Sequence, residues 1–182
     1  MTIKKYFIII VLFTALSFIS CKMWIGDNLS FFSSGSRVLL YMHSTSSNPP
    51  DLLFTISEIK LYTENGNWIK LLNEPIEISS NILVDKQILL KEAVVEPGIY
   101  KSIKIRFANA SVLGVNARTN LALPQPDGEI EIKADIRLHN MDSSVVSIIW
   151  NPDRSIEKGY LFQPVIEIEP QQPSAKELLL FI

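Results

Sequence analysis

Alternation of apolar and polar residues with a period of two dominates this chain. It is clearest from Glu129 to Leu138, where Ile130, Ile132, Ala134, Ile136 and Leu138 share one parity and Glu129, Glu131, Lys133, Asp135 and Arg137 the other. Successive side chains of a strand point to opposite faces, so this pattern predicts a strand with one face in a core and one in water. Ile99 to Phe107 repeats it, with Ile99, Ile103, Ile105 and Phe107 on one side. Leu53 to Thr63 alternates as far as Glu58 and resumes out of phase through Ile59 and Leu61, which predicts a bulge at Ser57 to Ile59. Glu64-Asn65-Gly66-Asn67 predicts a hairpin turn, because Asn-Gly accepts the positive φ angles of such turns. Trp68 to Leu72 is then the returning strand.

Arg37 to His43 reads as a first strand, and Ile76 to Ile78 as a short edge strand behind Pro75. Ser111 to Val115 and Asn120 to Leu123 form a hairpin, Pro124 to Gly128 a loop, and Ser144 to Trp150 and Tyr160 to Ile168 the last strands. Only Asn81 to Val95 suggests helix, one or two turns carried by Ile82, Leu83, Leu89, Leu90 and Val94. Eight to ten short strands separated by turns predict an all-β fold, a two-sheet antiparallel β-sandwich of Ig-like type with at most one short helix. Alternation on one side excludes a parallel α/β sheet, whose strands are apolar on both faces.

The first twenty-one residues carry the second signal. Lys4 and Lys5 precede an apolar stretch from Phe7 to Leu16, and Ser20 precedes Cys21, the one cysteine in the chain. A charged start, a short apolar middle and a small residue before the cut are the marks of a secretory signal. The middle is half the ~20 residues a membrane-crossing helix needs. A cysteine at this point predicts lipid attachment through its sulfur, with plain secretion or a retained anchor as the competing readings. Phe18 stands where a leucine is usual. Lys22, in place of an aspartate, leaves the outer membrane as the default address in a Gram-negative cell. The layout is a signal over 1–20, a lipidated tether over 21–36, the sandwich over 37–169 and an apolar tail over 170–182. Met23, Trp24, Ile25, Leu29, Phe31 and Phe32 within the tether fit either a membrane interface or a first strand. With Cys21 lipidated no disulfide forms, so stability must come from the core.

Charge narrows the partners. The chain has 17 basic and 19 acidic residues, net −2. Loss of the signal removes Lys4 and Lys5 and no acid, which makes the balance more negative. That argues against nucleic acid and against a polybasic membrane patch. Chemistry is sparse. His43 and His139 lack metal-ligand spacing and read as surface strand residues, so no metal or cofactor is expected. Glu129, Glu131 and Asp135 read as the solvent face of a strand rather than an acid–base pair. Asp127-Gly128 with Asn151 and Asp153 lacks the run of ligands a calcium loop requires. No nucleophile elbow or phosphate loop is present.

Several segments together resemble a known family. Ile56 to Thr63 with Trp68-Ile69, Glu96-Pro97-Gly98-Ile99-Tyr100-Lys101-Ser102-Ile103, Asp153-Arg154-Ser155-Ile156 and Gly159-Tyr160-Leu161-Phe162-Gln163-Pro164-Val165-Ile166 resemble domain-of-unknown-function family 4382 over residues 36 to 169. The resemblance implies a bacterial or archaeal lipoprotein with a transthyretin-like (prealbumin-like) sandwich and no catalytic residues to transfer. Physical reasoning gives the matched positions structural roles. Gly98 frees a turn, Tyr100 buries its ring and bonds its hydroxyl across a corner, Asp153 caps its own loop, and Gly159 and Pro164 shape the last strand, with Pro164 at an edge or bulge.

The expectation is a non-enzymatic envelope lipoprotein, held to the membrane by its lipid, that binds an envelope polysaccharide or protein. Tyr62, Trp68, Trp150 and Tyr160 are the candidate contact aromatics. The alternatives are an assembly subunit docking through its C-terminal tail and a hydrolase whose site the sequence does not disclose.

Overall fold

The computed structural model describes residues 35–124, 127–140, 142–157 and 160–171. The signal, Cys21, most of the tether, Gly159 and residues 172–182 lie outside them. The described chain forms twelve strands: β1 Ser36–Ser44, β2 Leu52–Thr63, β3 Trp68–Leu72, β4 Ile76–Ser79, β5 Gln87–Val95, β6 Gly98–Leu113, β7 Arg118–Asn120, β8 Glu129–Leu138, β9 Ser143–Asn151, β10 Ile156–Glu157, β11 Leu161–Phe162 and β12 Val165–Gln171.

Two sheets make an all-β sandwich. Sheet A runs β12-β9-β1-β5. In sheet B the long strands β2 and β6 pair along their whole lengths; β3 and β4 share the outer edge of β2, and β7 and β8 share the outer edge of β6. Pairing is antiparallel throughout both sheets except between β1 and β9, which run parallel from Arg37↔Ser143 to Ser44↔Trp150. A purely antiparallel expectation is corrected there. The two strands are far apart in sequence, so no hairpin dictates their sense.

The inward residues of both sheets form one core. Val38, Leu40 and Met42 of β1 and Val146, Ile148 and Trp150 of β9 meet Phe54, Ile56, Ile59 and Leu61 of β2 and Ile103, Ile105 and Phe107 of β6. Phe54 sits at the centre of an aromatic cluster, with ring centroids 4.9 Å from Trp150, 5.6 Å from Phe162 and 5.9 Å from Phe107.

Local features follow the sequence in places and depart from it in others. The register of β2 against β6 breaks between Ile56 and Glu58, where the alternation slips, and Gly66 has φ 88° in the hairpin turn. Asn81 to Val95 is not helical beyond one 3-10 turn at Ser80–Leu83; Gln87 to Val95 is β5. A register shift opposite Leu40/Tyr41 adds a residue to β5, and the broken period of two imitates helical spacing. The strand predicted from Ser111 is the end of the sixteen-residue β6, which returns through Arg118–Asn120 rather than Asn120 to Leu123. Tyr160 to Ile168 is split into β11 and β12, with the buried Pro164 in the break. Pro164 has no N–H to give a ladder.

Candidate functional site

The outer face of sheet B is a grid fixed by register. One row is Trp68, Tyr62, Ser102 and Lys133; the next is Lys70, Lys60, Lys104 and Glu131; the third is Glu58, Arg106 and Glu129. These residues share a face because each pair lies directly opposite across a ladder. The Ser57 bulge makes the grid possible. Without it, Lys60 and Tyr62 would take the parity of Phe54 and Ile56 and point into the core.

Tyr62 and Trp68 stack as a tilted pair, centroids 4.8 Å apart. Trp68 remains 37% exposed. The ammonium of Lys104 stands 4.5 Å from the centroid of the Trp68 ring, a cation–π contact that fixes the indole. The three rows hold five cations, Lys60, Lys70, Lys104, Arg106 and Lys133, against the three carboxylates Glu58, Glu129 and Glu131, so this face is locally positive on an acidic chain.

Each carboxylate is held by cations or a hydroxyl. Glu58 is 8% exposed and lies between Lys60, at 2.5 Å, and Lys70, with Arg106 at 3.8 Å. Burial raises its pKa, but the ammonium groups of Lys60 and Lys70 outweigh that, and the carboxyl ends below its ordinary value of 4.5. Glu129 accepts from Arg106 Nε at 2.9 Å and pairs with Lys104 at 3.4 Å. The Arg106 guanidinium is the main cause of its lowered pKa, against an opposing contribution from burial. Glu131 accepts from Ser102 Oγ at 2.7 Å. Glu58 and Glu129 are thus held ionised and act as acceptors for the neighbouring cations.

A pH dependence follows from the sign of the Glu58 shift. A group whose folded-state pKa is depressed stabilises the fold above its unfolded pKa and loses that contribution as pH falls through the folded value. Glu58→Gln should therefore lower stability at neutral pH by about 1–2 kcal/mol. The gap from the native chain should close as pH drops below 4.5. Urea titrations at neutral and acid pH measure both, and a gap that does not change with pH would refute the assignment.

The remaining sequence candidates are dispersed. Trp150 departs from the expectation of a contact aromatic: its ring is wholly buried in the core, with Nε1 donating to Ser155 Oγ at 2.8 Å. Its shared parity with Val146 and Ile148 had carried that signal. Tyr160 is 61% exposed with φ 60°, an unusual backbone for a bulky residue, and its carbonyl accepts from Ala122 N at 2.8 Å. It belongs to the loop before β11, not to the sheet B grid. Tyr100 is buried and its hydroxyl donates to the Glu96 carbonyl at 2.7 Å, tying the corner before β6. Gly98 has φ 158°, a backbone that side chains rarely adopt, so glycine frees this turn although a β-carbon would meet nothing within 4 Å. Asp153 is exposed and does not cap its loop; Asn151 Oδ1 does, accepting from Arg154 N at 3.3 Å. Gly159 and Cys21 lie outside the described residues.

Both histidines are accounted for. His139 is exposed, and its carbonyl accepts from the buried Ser36 hydroxyl. His43 is half-buried on the outer face of sheet A, and its Nε2 is buried without a hydrogen-bond partner. It borders a polar hollow of about 340 Å³ between residues 44–47 and Asp85 to Gln87. Among the described residues no three His, Cys, Asp or Glu side chains gather as a metal site. Sequence reasoning missed the cation grid around Trp68. Its signal was the slipped parity after Ser57, which puts Glu58, Lys60 and Tyr62 on one side.

Comparison with known proteins adds little. No family model matches the chain, and no curated protein matches it. Among solved structures, wild-type pneumolysin aligns at 9% identity and a TM-score of 0.20, over 75% of this chain and 23% of that one. The chain thus spans under a quarter of pneumolysin's length, and an overlap this loose carries no argument about either fold or activity.

Proposed function

We propose that this protein is an exported envelope lipoprotein, acylated at Cys21, whose sandwich is a non-catalytic binding module for polysaccharide. The resemblance to domain-of-unknown-function family 4382 belongs to the same reading. The observation that carries it is the Tyr62–Trp68 pair, part-exposed on the outer face of sheet B with the Lys104 ammonium over the Trp68 ring. Sugar rings present apolar C–H faces that lie on aromatic rings and hydroxyls that need polar partners beside them. Lys60, Lys104, Glu131 and Ser102 supply such partners next to the rings. The signal pattern and Cys21 support an address outside the cytoplasm, where such polymers are found.

Two measurements test the proposal separately. Metabolic labelling with a fatty-acid probe should mark the native chain and not Cys21→Ser; an unlabelled native chain removes the anchor. On an array of bacterial envelope polysaccharides the native protein should retain at least one glycan, and Trp68→Ala should weaken that retention about tenfold or more. Retention that is unaffected by Trp68→Ala, or no retention at all, removes the binding face.

A further inference from the structure

The outer face of sheet A differs in kind from that of sheet B. Its strands read as near-continuous apolar runs, Val38 to Met42 in β1 and Val145 to Trp150 interrupted only by Ser147 in β9. Such runs belong to strands covered on both faces. One face enters the core. The other aligns Leu39 with Val145 and Glu92, Tyr41 with Ser147 and Leu89, and Ile149 with His43. Leu89 is 49% exposed, while Leu39, Tyr41, Val145 and Ile149 are half-buried. The ion pair Arg37–Glu92 at 3.3 Å bounds this apolar strip on one side, and the exposed Glu167 and Glu169 of β12 bound it on the other.

We infer that the cover is the chain's own C-terminal segment, with Leu178 to Ile182 lying across this strip. Four observations select that occupant. The described chain leaves the sandwich at Gln171, the last residue of β12, directly beside Val145 of β9 at the border of the strip. Pro173 has no N–H to give a ladder, which disfavours continuation of β12 past it. Residues 172–177 span up to roughly 20 Å when extended, against roughly 10 Å from β12 across β9 to β1. Lys176 precedes the apolar run Leu178-Leu179-Leu180-Phe181-Ile182 and is opposite in charge to the Glu167–Glu169 column that borders the strip. This inference is independent of the polysaccharide reading, which concerns the other sheet.

The test places the photo-crosslinking residue p-benzoylphenylalanine at position 181 of the full-length chain in detergent micelles. Irradiation should give an adduct of monomer mass, with the link mapped by mass spectrometry to Leu39–Tyr41, Leu89 or Val145–Ile149. Leu89→Asp should reduce that adduct about tenfold. Ile82→Asp, at a residue 45% exposed outside this strip, should leave it unchanged and controls for folding. An adduct of twice the monomer mass, one to detergent or to another protein, one mapped elsewhere in the chain, or none at all, would overturn the inference.

Discussion

Trp150→Ala is expected to cost about 3–5 kcal/mol, the range for truncating a large buried aromatic. The indole is wholly buried and packs edge-on against Phe54 at 4.9 Å; Phe54 in turn stacks on Phe162 and meets Phe107. Three strands and the β11 segment contribute to this cluster, and it joins the two sheets. The cavity left by alanine cannot close without moving backbone in both sheets, which puts the cost above simple loss of apolar contact. Thermal unfolding should shift down by roughly 10–20 °C. Phe54→Leu, which keeps most of the volume, should lose much less. A Trp150→Ala chain within about 1 kcal/mol of native stability would show that the cluster is not the centre of the core.

How much of this was legible in the sequence depends on distance along the chain. β8 and the Asn-Gly hairpin are local patterns, and the structure follows both closely. The bulge at Ser57 was legible for the same reason, as a slip in parity. β5 was misread because its own extra residue disturbs the period of two near Leu90. The parallel pairing of β1 with β9 depends on residues more than a hundred positions apart, and no local turn announces it. The candidate site falls between these cases. Tyr62 and Trp68 face each other across a hairpin and were readable, whereas Lys104, Arg106 and Glu129 reach them only through the long register of β2, β6 and β8. Trp150 shows the converse failure: its residue type suggested a contact, while its parity already placed it inside.

Ser155→Ala should cost about 2–4 kcal/mol, more than a serine usually does, because one hydroxyl serves three bonds. Ser155 is fully buried just after the 3-10 turn at Pro152–Arg154. Its Oγ accepts from Trp150 Nε1 at 2.8 Å and from Val165 N at 3.1 Å, and donates to the Asn151 carbonyl at 2.6 Å. Alanine keeps the shape but leaves an indole N–H and a strand N–H facing apolar surroundings, and both lose a partner that water does not replace. The Ser155 carbonyl also accepts from Gln163 N at 2.9 Å, so this one residue joins the end of β9 to the start of β12. Ser155 and Val165 thus hold the end of β9 and the start of β12 together around Trp150. A double-mutant cycle separates this account from simple packing. In a Trp150→Phe background the indole donor is gone, so Ser155→Ala should cost at least about 1 kcal/mol less than in the native chain. Equal costs in the two backgrounds would mean that the hydroxyl does not act through the indole, and the junction would have to rest on Val165 and Asn151 alone.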